Sequence, residues 1–341
     1  MKKNDVDSQS HGNTLSASAV QGWQQELKGL WGEAVKLHEP MLRYTTFRIG
    51  GPAQALLIVQ TVDDLCRAVL WARHKGLPYY VLGQGSNVLV ADTGVEGLVI
   101  VNRCQNRRCV ESAEGTTVFA EAGVGLTKLA YQVSAQGWSG LEWAAGIPGT
   151  LGGAIVGNAG AFGSDMSASL IRIEVLDGEG ERRSYEAADL DFSYRSSRFK
   201  KEGGRSNREL IILAAELSLS RSDSAQTVER CREAVRLRQR SQPLDEPSAG
   251  CVFKNPPRDY AGRLIEAAGL KGRQIGGARF SCAHANFVVN VGQARARDVL
   301  ALIDLARTEV RQQFSLELEL EIECIGQPVQ TAILERKAHG D

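Results

Sequence analysis

Residues 146–160 read Gly-Ile-Pro-Gly-Thr-Leu-Gly-Gly-Ala-Ile-Val-Gly-Asn-Ala-Gly. They sit in a longer stretch, Gly137 to Gly163, with nine glycines in 27 residues and few charges. Glycine admits positive φ and lets backbone N–H groups approach a ligand closely; successive N–H groups then form an anion-binding nest. A shorter segment, Gly83-Gln84-Gly85-Ser86-Asn87, lies between the apolar runs Tyr79–Leu82 and Val88–Val90. The plain alternative for each is a set of tight turns. That alternative is weaker for the longer stretch, whose length suggests backbone wrapped against a large ligand. Ser86, Asn87, Thr150 and Asn158 can add side-chain hydrogen bonds to a phosphate. A dinucleotide fingerprint requires a helix directly after the glycines, whereas a strand follows Asn87. Two such loops suit the two phosphates of a dinucleotide held in a non-Rossmann way.

Outward from these loops, the hydrophobic spacing predicts an α+β chain and not a steady βα alternation. Ala55–Gln60 predicts a strand. A helix follows, with Thr61 as cap, Asp63 and Asp64 at its start, and Arg73, His74 and Lys75 before Gly76. Its apolar positions Val62, Leu65, Val69 and Ala72 keep helical spacing. Leu98–Val101 and Thr117–Ala122 predict strands, and Leu126–Ala135 a helix ending at Gly137. Strands at Ile171–Leu176 and Leu210–Leu219 flank a polar loop. A very basic helix, Val228 to Arg240, leads to a Pro-rich turn, Pro243 to Pro247. Beyond it come helices at Ala261–Ala268 and Asp298–Phe314 and strands at Phe287–Val291 and Leu316–Ile325. Residues 1–36, rich in Ser, Gln, Asn and Gly, predict a disordered leader with at most a short helix around Trp23–Leu30.

Composition bounds the function. The 341 residues allow two or three domains. Lys+Arg and Asp+Glu are 40 each, so a general electrostatic grip on nucleic acid or an anionic membrane is not expected. No apolar run is long enough for a membrane span, and no apolar segment follows the first lysines as a secretory signal requires. Seven cysteines without a C-x-x-C pair suit a reducing cytoplasm and not a disulfide scaffold or zinc ribbon. With five histidines, two of them near the termini, no metal site is expected.

Six strings, in order, resemble the UDP-N-acetylenolpyruvoylglucosamine reductases. They are Thr46-Phe47-Arg48-Ile49-Gly50-Gly51, Leu82 to Asn87, Gly146-Ile147-Pro148-Gly149 with Gly157-Asn158-Ala159-Gly160, Tyr194-Arg195-Ser196-Ser197, Gly250 to Pro256, and Gln274-Ile275-Gly276-Gly277. The resemblance covers roughly residues 37–326. It implies a bacterial cytosolic enzyme with non-covalent FAD, reduced by NADPH, that converts UDP-N-acetylglucosamine enolpyruvate to UDP-N-acetylmuramate for peptidoglycan. The implied fold is a vanillyl-alcohol-oxidase-type FAD region of two α+β subdomains, 37–103 and 104–224, with a C-terminal substrate domain, 225–326, whose last strand packs on the FAD region. A tail, 327–341, follows. The short spacing from Tyr194 to Cys251 matches the subclass without a substrate-covering tyrosine loop, which suggests a monomer.

The resemblance also assigns residues. Gly83, Gln84, Gly85, Ser86, Asn87, Gly146, Ile147, Pro148, Gly149, Thr150, Gly153, Asn158, Ala159 and Gly160 are expected to hold FAD. Arg195 matches the family's arginine, whose guanidinium can hold the substrate carboxylate and the charge developing beside it. Cys251 stands where the family usually has serine, the proton donor to C2. A thiol is mostly protonated at neutral pH and can do that work; the bland alternative is a buried filler. The alternation Leu316 to Glu323 predicts four glutamates on one strand face, and the match selects Glu321 among them. Tyr194, Lys254 and Asn255 are expected at the substrate's sugar diphosphate. Arg238 and Arg240, at the end of the basic helix, can face the UDP phosphates, against an exposed setting that is the expectation; His284 is expected structural, and Cys104 and Cys109 incidental. Another FAD-dependent oxidase or dehydrogenase of this fold, or a nucleotide-binding module without chemistry, stays open at this point.

Overall fold

The computed structural model describes residues 17–112, 115–201 and 209–326. The expected leader before residue 17 and the tail 327–341 lie outside the described residues.

The first subdomain contains α1 (Ala17–Trp31), β1 (Val35–Pro40), β2 (Pro52–Val59), α2 (Val62–His74), β3 (Tyr79–Leu82), β4 (Val88–Val90) and β5 (Val95–Asn102). Its sheet runs β1-β2-β5-β3, parallel except at β1. Strand β2 is buried on both faces. Ala55, Leu57 and Val59 meet the helices and Leu56 packs with Val88 and Val90 on the far side, as strand alternation requires; Ala53 joins Leu56 on that side because the register against β5 shifts between Ala53 and Ala55. Helix α2 starts where the sequence places it, with the Thr61 hydroxyl accepting the Asp64 N–H at 3.1 Å.

The expected leader is corrected from residue 17 on. Helix α1 buries Trp23 and Leu27 against this subdomain, and Trp23 and Trp31 pack on Trp71 with ring centroids 6.3 and 6.1 Å apart. Trp23, Leu27 and Trp31 recur every fourth residue, a stripe that the polar residues between them conceal.

The second subdomain contains β6 (Arg107–Glu111), β7 (Thr116–Glu121), α3 (Leu126–Ala135), β8 (Trp138–Ser139), α4 (Leu151–Gly157), the hairpin β9 (Gly160–Ala161) and β10 (Ser164–Asp165), β11 (Leu170–Leu176), β12 (Arg182–Glu186), α5 (Arg198–Lys201), β13 (Ile211–Arg221) and α6 (Ser224–Ser241). The sheet runs β12-β11-β13-β7-β6, all antiparallel. The expected polar loop thus carries strand β12 and the turn that bears Arg195. Helix α6 belongs with this subdomain and not with the C-terminal one. Thr227, Cys231 and Ala234 are buried, and Thr227 donates to the Ser134 carbonyl of α3 at 2.7 Å. The break between domains therefore falls in the Pro243–Pro247 turn.

The C-terminal domain contains β14 (Ser248–Cys251), α7 (Ala261–Ala267), β15 (Gln274–Ile275), β16 (Ala278–Phe280), β17 (Phe287–Asn290), α8 (Ala296–Phe314) and β18 (Glu323–Ile325). The sheet runs β14-β17-β16-β15, and α8 buries Val299, Leu302, Ile303, Ala306 and Val310 in the domain core. β18 leaves this sheet and pairs in parallel with β4, Glu323 opposite Val88. The expected strand 316–325 is corrected: only its last three residues pair as a strand, and Glu317 and Glu319 are exposed while Glu321 is largely buried.

Leu27→Ala is expected to cost about 3 kcal/mol by chemical denaturation, the range for a buried leucine. Leu30→Ala, exposed on the same helix, is expected to stay within about 0.5 kcal/mol.

Candidate active site

Both glycine segments line one cavity of about 780 Å³ that also receives Arg195, Arg238, Cys251 and Glu321. That volume lies within the range of small-molecule and cofactor sites. The two segments hold each other. The Gln84 amide oxygen accepts the Gly149 N–H at 3.1 Å, and the Ser86 hydroxyl donates to the Pro148 carbonyl at 3.0 Å. Gly149 sits at φ +131°, and a Cβ there would come within 2.9 Å of Ser86 Oγ. Thr150 caps α4, its hydroxyl accepting the Gly153 N–H at 3.4 Å.

Gly83, Gln84, Gly85, Ser86, Asn87, Gly146, Ile147, Pro148, Gly149, Thr150, Gly153, Ala159 and Gly160 all line the cavity; Asn158 does not. The Asn158 amide donates to Asp165 and to the Ser193 carbonyl and accepts the Ser167 N–H, so it braces the β9–β10 hairpin and has no capacity left for a phosphate. Ser86 likewise spends its hydroxyl proton on the Pro148 carbonyl, whereas Thr150 accepts at α4 and keeps its O–H to donate. Backbone on the glycine segment also stays open to an anion: among the described residues no protein acceptor takes the N–H groups of Gly85, Ser86 and Asn87. A Cβ on Gly157, which lines the cavity, would meet nothing within 4 Å. A nest of free N–H groups beside a side-chain-free wall fits a large dinucleotide such as the FAD that the sequence resemblance implies.

The chemistry-bearing side chains come from three separate parts of the chain. Arg195 is the second residue of a two-residue turn closed by Ser193 and Ser196, with bonds of 3.0 and 3.1 Å. Its φ is +52°, a strained value for a residue with a side chain. The turn is anchored by Ser197, whose buried hydroxyl donates to the Val156 carbonyl at 2.7 Å. Arg195 Nε lies 2.8 Å from Glu321 Oε1, and Nη1 donates to the Gly160 carbonyl at 3.0 Å. The Nε contact is one of charge, since its N–H is not directed along a hydrogen bond.

Cys251 ends β14 opposite Phe287. Burial pushes its thiol up to about 12, with the Glu321 charge adding to the shift and Arg195, Arg238 and Asn286 opposing it. The thiol therefore carries its proton at neutral pH. Burial also raises Glu321, against the pull of Arg195, Lys200 and Lys254.

Arg238 corrects the expectation that it is exposed. It lines the cavity, its Nε is buried without a hydrogen-bond partner, and burial lowers its pKa. The signal was present in the spacing: Thr227, Cys231, Ala234 and Arg238 share one stripe of α6. Arg240 is exposed, as expected.

Tyr194, Lys254 and Asn255 are not among the residues lining the cavity. Tyr194 is exposed, its ring 5.7 Å from the Arg195 guanidinium. Lys254 pairs with Glu319 at 2.5 Å, and the Asn255 side chain accepts the Ala261 N–H at the start of α7, at 3.1 Å. His284 is structural, its Nδ1 accepting the Asn286 N–H at 3.2 Å beside the Phe287 ring. Cys104 is buried, its thiol raised by burial to about 12, and Cys109 is exposed.

Comparison with known proteins agrees with this arrangement. The family described as "UDP-N-acetylenolpyruvoylglucosamine reductase, C-terminal domain" matches residues 242–325, and the "FAD binding domain" family matches residues 53–185. A UDP-N-acetylenolpyruvoylglucosamine reductase of Alkaliphilus oremlandii is 41% identical over 295 residues, 86% of this chain and 94% of the relative. One of Chloroflexus aggregans is 44% identical over 288 residues, 84% of this chain and 96% of the relative. The crystal structure of the Thermus caldophilus reductase superposes with a TM-score of 0.70 at 37% identity, covering 86% of this chain and 98% of that one. The two-subdomain FAD-binding fold with its added C-terminal domain is thus a family trait, and the chain belongs to the UDP-N-acetylenolpyruvoylglucosamine reductases.

Proposed function

We propose that Cys251, Arg195 and Glu321 together carry the reduction of the enolpyruvyl ether of UDP-N-acetylglucosamine enolpyruvate to UDP-N-acetylmuramate, the family's step in peptidoglycan precursor synthesis. The observation that supports this is their convergence, from three separate segments, in the cavity that the two glycine loops line. FAD, held along the glycine segments 83–87 and 146–160, would supply the hydride chemistry, with NADPH as its reductant and C3 of the substrate as the acceptor.

The side chains handle the remaining charge and the proton. Addition at C3 breaks the C2–C3 double bond and leaves an electron pair at C2, beside the carboxylate. The Arg195 guanidinium, held by Glu321 and the Gly160 carbonyl, holds that carboxylate and stabilises the developing charge. Cys251 keeps its proton at Sγ and gives it to C2, completing a net two-electron, two-proton-equivalent reduction. The sulfur left behind faces Arg195 and Arg238, both of which favour its charged form. Beside Cys251, Arg195 and Arg238 are the cations positioned to receive the substrate carboxylate, while the cavity wall as a whole carries both signs, Arg48 and Lys200 against Asp245, Glu246 and Glu323. Among the described residues no helix is long and apolar enough to cross a membrane; we place the enzyme, as a monomer, in the bacterial cytoplasm with its nucleotide-sugar substrate.

Substitution and pH dependence check this reading. In stopped flow without oxygen, Cys251→Ala is expected to leave NADPH bleaching of the flavin intact and to slow its reoxidation by substrate on the order of 10²–10³-fold, the scale of a lost general acid. Cys251→Ser is expected to stay within about tenfold of wild type, because a hydroxyl can donate the same proton. For pH, the thiol is protonated below its raised value of about 12, so kcat/KM for the enolpyruvyl substrate shows no falling limb from Cys251 below about pH 10. On the acid side, Glu321 takes up its proton at a higher pH than an ordinary glutamate, and its pairing with Arg195 is lost as pH falls through that value. Activity therefore drops above the usual glutamate range, and Glu321→Gln removes that pH dependence together with most of the rate. A limb near pH 8–9 that disappears in Cys251→Ser would contradict the burial-raised thiol while keeping Cys251 as donor; an unchanged reoxidation rate in Cys251→Ala would contradict the donor role itself.

A further inference from the structure

The Glu321 peptide is held from two sides. Its N–H donates to the Val252 carbonyl at 2.9 Å, next to Cys251 in sequence. Its carbonyl accepts the side-chain amide of Asn87 at 3.2 Å. Asn87 also grips the same strand through its backbone, its carbonyl accepting the Glu323 N–H at 2.8 Å just before β4 and β18 begin to pair. Asn87 closes the glycine segment that starts at Gly83, so one residue joins the cofactor-side loop to the segment bearing the site's buried carboxylate. The neighbouring Glu317 and Glu319 are exposed and pair with Arg311 and Lys254, and of the three Glu321 is the one beside Arg195.

We infer that Asn87, expected from the sequence to be a cofactor ligand, is a positioning residue for the substrate-reducing step: its amide holds the Glu321 backbone, and through it the Glu321 carboxylate, against Arg195. The inference rests on the role given to Glu321 above. Without the amide donor, the Glu321 carbonyl loses its partner on the loop side and the carboxylate loses its fixed distance to the guanidinium. Small misplacements of catalytic groups cost far more in rate than in binding. The step affected is the one that uses Glu321, while hydride delivery from NADPH is left alone.

The test uses the full-length holoenzyme. FAD affinity of Asn87→Ala is read by flavin fluorescence titration, both half-reactions by anaerobic stopped flow, and substrate reduction across pH. At saturating FAD, the expected result is substrate-driven reoxidation slowed by about tenfold or more beyond any change in NADPH bleaching, and a displaced acid limb. Asn87→Asp keeps the size but replaces the donor with an acceptor, and it is expected to be at least as slow; it also serves if the alanine variant fails to fold. Weakened FAD binding with both half-reactions normal at saturating FAD would overturn the inference and make Asn87 a cofactor ligand only. So would wild-type rates in Asn87→Asp. Glu321→Gln is run beside them. If it is slow while the Asn87 variants are normal, only the present inference falls. If Glu321→Gln is itself normal, the role of Glu321 falls, and this inference with it.

Discussion

Three residues of parallel pairing, Glu323–Ile325 against Val88–Val90, decide where the active site forms. The strand comes from the C-terminal end of the described chain and lands on the first subdomain, so residues more than two hundred apart in sequence share one register. Other contacts reinforce the same junction. Asp92, just after β4, accepts the first N–H groups of α8 at 2.8 and 3.1 Å, where a carboxylate meets the positive end of the helix. Thr46 donates to the Ser248 carbonyl at 2.7 Å, and the Asn290 amide reaches the Phe47 carbonyl at 3.2 Å. Phe47, Ile49, Leu89 and Ala91 continue the C-terminal core into the first subdomain. The junction is therefore a packed interface, and β14 with Cys251 and the segment with Glu321 are set rigidly beside the glycine loops.

The second constraint is electrostatic. A largely buried carboxylate, two arginines and a thiol share one end of the cavity. Burial opposes the charged forms of Glu321, Arg238 and Cys251 alike. It leaves the sulfur protonated and the arginines in want of anions. Arg195 finds one in Glu321, while the buried Arg238 Nε finds no protein acceptor. Such a site is poorly satisfied by the protein alone and is completed by an anionic ligand, in keeping with a reaction that develops negative charge beside a carboxylate.

Local physics made much of this legible in the sequence. The Thr61-capped helix and the two glycine segments follow from capping, helical period and backbone freedom, each a matter of near neighbours. Arg195, Cys251 and Glu321 were reached through the family resemblance, since spacing alone left four equivalent glutamates. The structure separates those four, because the segment 316–322 is not a regular strand and each glutamate meets a different environment. Arg238 and α1 were misjudged for one reason: their burial depends on which face a distant element covers. Lys254 and Asn255 follow Cys251 by three and four residues, yet the chain turns them to Glu319 and to the start of α7, and neither lines the cavity. Asn158 was assigned to the ligand by its motif, and the structure spends its amide on the hairpin.

The central claim is that one cavity joins a glycine-lined cofactor site to a proton-donating, carboxylate-holding end. Its most direct measurement is the visible spectrum of the purified protein without oxygen, with one equivalent of NADPH added and then one of UDP-N-acetylglucosamine enolpyruvate. The account predicts a flavin band that NADPH bleaches and the enolpyruvyl sugar restores in equal amount. A bleached band that only oxygen restores, or a protein that takes up no flavin when FAD is supplied, would contradict it.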